Sequence, residues 1–148
     1  MDTISTAGTI AFAMELNEKG LWDSNLTFGK IDNITQTLHE IAYKSTEIGS
    51  MLAKGSRELS KTFGGEEFCM QAKGMELSAY EPRGAVGQGL GYSVANRGGC
   101  HLNAGYEVVL EGLGLSVDPY TTHGKAQLSI MFQNLMEGAS AGGSCLFT

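Results

Sequence analysis

Apolar side chains crowd the opening of the chain. Between Thr3 and Lys19, Ile4, Ala7, Ile10, Ala11, Phe12, Ala13, Met14 and Leu16 occupy nearly every face of a helix. Such a helix is buried rather than amphipathic. Glu15, Glu18 and Lys19 make its last turn polar, and Gly20 suits the position just past its end. Ile34, Leu38, Ile41 and Ala42 then recur at helical spacing behind Asp32, which predicts a second helix capped by that carboxylate. A short third helix is expected from Glu47 to Lys54, ending at Gly55. A fourth is expected from Arg57 to Phe63, capped by Ser56 and stopped by Gly64 and Gly65. Short helices with short links read as part of a helical bundle.

The pattern breaks between residues 66 and 106. Phe68 to Ala72 is a brief apolar run, either a short strand or an extended linker, and Pro82 forces extended backbone at Glu81. Small residues then fall at Gly84, Gly87, Gly91 and Ala95, roughly one helical face, where another backbone or a flat ligand could come close. Past residue 106 a linker is expected as far as Asp118-Pro119. The last helix is expected to face the core through Leu128, Met131, Phe132 and Leu135, to end at Gly138, and to give way to a loop of small residues over 140–145. The apolar finish, Leu146-Phe147-Thr148, reads as a truncated chain end.

Composition narrows the class. The 148 residues are 42% apolar, enough for a core and too many for a disordered chain. A formal charge of −6 with scattered basic residues gives no nucleic-acid surface. No apolar stretch is long enough to span a membrane, and no secretion leader is visible. Three cysteines, an odd number, fit a reducing, cytoplasmic setting. Glycine is in excess: 21 of 148 residues, against a usual ~7%.

Familiar catalytic motifs are absent. Cys69, Cys100 and Cys145 are far apart and form no CxxC, so buried structural thiols are the default. Gly87-x-Gly89-x-Gly91 lacks the spacing of a dinucleotide fingerprint. His39 reads as a boundary residue of its helix, and His123 as an exposed residue in the first turn of the last helix. His101 follows Arg97-Gly98-Gly99-Cys100, so a titratable ring stands beside two glycines, a setting suited to proton transfer as well as to a structural role.

The stretch from Ala79 through Glu81-Pro82-Arg83, the glycine run and Arg97-Gly98-Gly99-Cys100-His101-Leu102 resembles the signature of tungsten-containing aldehyde ferredoxin oxidoreductases. Residues 1–16 resemble the family segment that follows its first pterin-binding loop. Val117-Asp118-Pro119 and Cys145-Leu146-Phe147-Thr148 resemble the approach to the second loop. The resemblance covers almost the whole chain in order. It implies a mainly α, bundle-like fragment of the family's C-terminal domains: residues 1–78 as the end of the second domain, 79–148 as the start of the third.

In that family two molybdopterin-type ligands hold one tungsten beside a [4Fe–4S] cluster, and electrons pass from aldehyde to ferredoxin. The resemblance therefore implies roles for four residues. Asp2 matches the end of the first pterin loop, which reads Asp-x-x-Gly-apolar-Asp/Cys, and would accept hydrogen bonds from the pterin. Gly143 and Cys145 match the second loop, with Cys145 as a cluster ligand, and His101 matches the proton-donating histidine. Ser140 and Ser144 stand where that loop expects Asp and Leu, and Asn103 where a basic residue is expected near the cofactor phosphate. The remaining cluster cysteines and the cofactor-cradling N-terminal domain lie upstream in the family. The expectation is a chain that binds no tungsten and no cluster alone, carries out no catalysis alone, and self-associates as a homo-oligomer. The alternative is a free-standing helical interaction or assembly module.

Overall fold

The structure is a computed structural model that describes residues 1–103, 107–113 and 117–146. Gly105, in the glycine-rich stretch, and Phe147 and Thr148 at the apolar finish lie outside the described residues. Helices dominate, and the chain divides into two compact units, Met1–Glu76 and Leu77–Thr148. No helix among the described residues is long and apolar enough to cross a membrane.

The first unit is built on α1 (Thr3–Glu18). Asp2 caps it: the backbone there is extended and a carboxylate oxygen accepts from Ser5 N at 2.7 Å. Its far end closes as a Schellman motif. Gly20 takes the left-handed conformation (φ +67°) and donates to Asn17 O, while Leu21 donates to Leu16 O. The apolar residues of α1 are only partly enclosed. Ile10, Phe12, Ala13, Met14 and Leu16 are buried, whereas Ala7 and Ala11 face an open groove of about 490 Å³ bordered by Ile34 and Leu38.

Three short helices pack round it: α2 (Ile34–Tyr43), α3 (Glu47–Leu52) and α4 (Ser56–Phe63). Asp32 does not cap α2. Asn33 holds the cap position in a helical conformation, and no side chain bonds the first turn. An extended cap residue is what lets a side chain reach back to those amides, and Thr46 meets that condition at α3, accepting from Gly49 N at 3.0 Å. Gly49 is also where α3 meets α2 most closely: a Cβ there would lie 2.5 Å from Glu40 O.

Ser56 does not cap α4 either. It is the first helical residue, behind Gly55 (φ +86°), and the cap comes from far along the chain. After a 3₁₀ turn at Glu66–Phe68, β1 (Gln71–Ala72) and β2 (Met75–Glu76) form a small antiparallel hairpin. Its two turn residues, Lys73 (φ 56°) and Gly74 (φ 86°), take the left-handed pair of angles that suits a two-residue hairpin loop. Glu76 at its end accepts from Ser56 N and Ser56 Oγ, both at 2.8 Å, and from Thr9 Oγ1 at 3.3 Å. Burial pushes this carboxyl up, but hydrogen bonding, from Ser56 first and from Ser5, outweighs it and holds the group below the usual carboxylate range. Around this joint the core closes with Leu26, Ile41, Leu52 and Leu59, and Trp22 stacks on Phe63 at 4.5 Å.

The second unit contains α5 (Val86–Val94), α6 (Glu107–Gly112) and α7 (Lys125–Ala141). Residues 107–112 are thus a helix where a linker is expected. In α7 the expected core stripe is met only in part: Leu128 and Phe132 are half-buried, but Met131 and Leu135 are 55% and 59% exposed, and the buried residues are Lys125 and Ser129. Gly138 lies within the helix, which runs on to Ala141. His123 is exposed, as expected, but precedes α7. The small-residue spacing does form a helix, α5, with Gly87, Gly91 and Ala95 buried and Gly84 exposed outside it.

Two substitutions probe this packing. Gly49→Ala is expected to destabilise the first unit by about 2 kcal/mol or more, because backbone must move. Gly138→Ala meets nothing within 4 Å and should stabilise α7 by about 0.5–1 kcal/mol. Urea unfolding of both variants measures the pair. Glu76→Ala leaves buried Ser56 and Thr9 donors unmatched and is expected to cost about 2 kcal/mol or more. Because the folded Glu76 titrates below 4.5, its contribution is present above that pH and is lost as pH falls below it. Acid titration of wild type against Glu76→Gln checks the sign.

Candidate functional site

His101 sits just beyond a tight turn at the end of the α5 segment. Gly98 adopts φ +110°, which a side chain would strain, and Cys100 N closes back on Gly98 O at 2.6 Å. The imidazole is half-buried, tilted 54° against the Tyr80 ring with centroids 5.7 Å apart. Burial lowers its pKa below the ordinary 6.5, so the ring is a neutral base at neutral pH. A neutral imidazole beside an aromatic wall can take up and release a proton.

Gly143 and Cys145 follow α7. Gly143 takes φ +81° and donates to Ser140 O, and Ser144 donates to Ala139 O. This is the same Schellman closure as at Gly20, so helix termination by itself accounts for a glycine at 143. Ser140 lies inside α7, and Cys145 is exposed beyond it. Cys100 is buried and Cys69 half-buried, its thiol pushed up by burial, and none of the three is in a disulfide.

Asp2 belongs to the other unit, where one of its exposed carboxylate oxygens holds the start of α1. The Ser5 backbone bond keeps that carboxyl below its ordinary value. Asn103 is 2% exposed and spans to α7, donating to Glu137 and accepting from Gln133 at 3.4 Å. Its amide is engaged at both ends by protein. No group of three or more His, Cys, Asp or Glu side chains positioned to hold a metal occurs among the described residues.

The sequence reading missed a buried polar cluster in the second unit. Glu111 Oε1 accepts from Gly87 N at 2.7 Å and from Lys125 Nζ, and Glu111 Oε2 accepts from Gln88 N at 3.1 Å. Glu107, one turn earlier and fully buried, accepts from Ser129 Oγ. Burial, with Glu111 nearby, pushes Glu107 up to about 7. Gly87 admits both carboxylates, since a Cβ there would run into Glu107 and come within 2.8 Å of Glu111 Oε1. At Gly87 the small face of α5 therefore receives acidic side chains. The available signal was two glutamates four apart flanking Val108-Val109-Leu110.

The sequence profile described as aldehyde ferredoxin oxidoreductase, domains 2 and 3, matches residues 1–148. The tungsten-containing aldehyde ferredoxin oxidoreductase of Thermococcus kodakarensis is 43% identical over 158 residues, which cover 100% of this chain and 26% of that protein. Proteins of the same description from Pyrococcus abyssi and Pyrococcus furiosus are each 42% identical, over 160 and 158 residues, with the same 100% and 26% coverage. The chain spans about a quarter of the length of these relatives. It belongs to the aldehyde ferredoxin oxidoreductase family, in the stretch described as domains 2 and 3.

Proposed function

We propose that the chain supplies part of a tungsten-containing aldehyde ferredoxin oxidoreductase and carries out no oxidation by itself. The observation that carries this reading is its end-to-end match to 26% of each relative. Residues 1–78 and 79–148 are assigned to the second and third domains of such an enzyme. Its partners there are ferredoxin, the N-terminal domain and, as a homo-oligomer, a second copy. The open apolar groove beside α1 supports a chain designed to be covered by more protein.

When bound in the complete enzyme, a molybdopterin-held tungsten and a [4Fe–4S] cluster supply the electron-transfer chemistry. The residues of this chain do not fit either group unaided. A four-iron cluster takes four thiolates; Cys145 is the one cysteine at a matching position, with Cys100 buried and Cys69 in the other unit. On the pterin side, Asp2 is engaged at α1 and a serine replaces the expected acid at position 140. His101 is assigned to proton handling, which its neutral, half-buried ring supports.

The test has two arms. The purified chain is expected to contain no stoichiometric tungsten or iron and to show no aldehyde-dependent dye reduction. About four irons per chain with broad cluster absorption would overturn the expected inactivity. In the second arm the chain replaces its counterpart in the Thermococcus kodakarensis protein. A chimera that takes up tungsten supports the assignment; one that folds without tungsten overturns it.

His101 allows a separate measurement. By NMR its ring is expected to titrate below 6.5, and Tyr80→Ala, which opens the site to water, should move the midpoint up. A wild-type midpoint at or above 6.5 contradicts the neutral-base assignment.

A further inference from the structure

We propose that Glu107 and Glu111, set between α5 and α7, form a proton-operated clamp that holds the three helices of the Leu77–Thr148 unit together while Glu107 keeps its proton and loosens them when it is lost. The two carboxylates are treated very differently by their surroundings. Glu111 accepts two backbone amides and the Lys125 ammonium, enough donors for a buried anion. Glu107 has one neutral hydroxyl, that of Ser129, and its Oε2 has no partner among the described residues.

Among the described residues, the charged groups facing Glu107 are Glu111 on its own helix and Lys125 on α7, and Lys125 is already bonded to Glu111. From α5 the facing groups are Gly87 and Gln88, neither charged. Gln88 Oε1 is taken by Val108 N, and Gln88 Nε2, also buried, has no partner among the described residues. Glu107 Oε2 and Gln88 Nε2 are not bonded to each other, so pairing them requires movement. A second anion here would face Glu111 while Lys125 is already bonded to that carboxylate, a state that burial strongly disfavours. Ionisation therefore acts on the contacts of α6 with both neighbours. The α5 segment leads into the turn before His101 and α7 leads to Gly143 and Cys145, so the clamp joins the two segments that carry those residues.

The sign follows from the direction of the shift. Glu107 titrates near 7 when folded and near 4.5 when exposed, so the folded unit binds the proton more tightly. Its folding equilibrium constant is expected to fall about tenfold per pH unit between about 4.5 and 7, then level off.

The experiment uses the 148-residue chain. Hydrogen exchange read by mass spectrometry, corrected for the intrinsic pH dependence, reports protection over residues 86–94 and 125–141, with α1 as an internal reference. Wild-type protection of the two test segments should fall by about tenfold per unit from pH 5 to 7 relative to α1, and Glu107→Gln, a neutral isostere, should remove that dependence. Carbon-13 spectra of glutamate-labelled wild type should show one carboxylic acid persisting at pH 6. Flat or rising wild-type protection, or no protonated glutamate at pH 6, overturns the proposal. If Glu107→Gln does not fold, the wild-type spectrum decides alone.

Discussion

A carboxylate taken out of water must be given donors, and that requirement organises both units of this chain. An unsupported buried charge costs several kcal/mol even after relaxation. In the first unit Glu76 meets the requirement with an amide and two hydroxyls drawn from α1 and α4. One side chain thereby fixes the hairpin, caps a helix whose own cap residue is glycine, and draws in α1. In the second unit Glu111 does the same with the first amides of α5 and Lys125 of α7.

What surrounds each joint differs. The first unit has an apolar interior of aliphatic and aromatic side chains that would cohere through burial alone. In the second, Gln88, Asn103, Glu107, Glu111, Lys125 and Ser129 are all buried, and the buried apolar residues described are few and mostly small. Polar interiors are directional: each group is stabilising while its partners are in place and costly when they move. Protonation state therefore carries more weight in the second unit than in the first.

The sequence was most legible where one local rule acted alone. The apolar density of residues 4–16 followed by Gly20 marked α1 and its Schellman end, and the spacing of Ile34, Leu38 and Ile41 marked α2. The α4 cap was misread because its partner lies far away. Ser56 has the chemistry of a cap, but its amide and hydroxyl both go to a residue twenty positions on. Helix α6 was invisible because six residues ending in a glycine show little period, and its glutamates favour a solvated reading until Lys125 and the α5 amides are brought to them. The stripe on α7 failed at Met131 and Leu135 for the same reason: the buried face of that helix is centred on Lys125 and Ser129, and no apolar pattern reports polar packing.

The same distinction sorts the candidate site residues. A residue that matches a family motif can be retained for folding or for chemistry, and a local structural role is the simpler cause. Asp2 has one as a helix cap and Gly143 as a left-handed helix terminator. Each would be favoured at its position in a protein that bound nothing. For His101 the turn at Gly98 and the wall of Tyr80 set the position and keep the ring neutral, and neither demands an imidazole in place of another ring. Cys145, exposed past the end of α7, is likewise not required by the helix termination that explains Gly143. A thiolate or an imidazole acts on a metal group only together with donors from elsewhere. In relatives of which this chain spans about a quarter, the remaining chain is where such donors would come from.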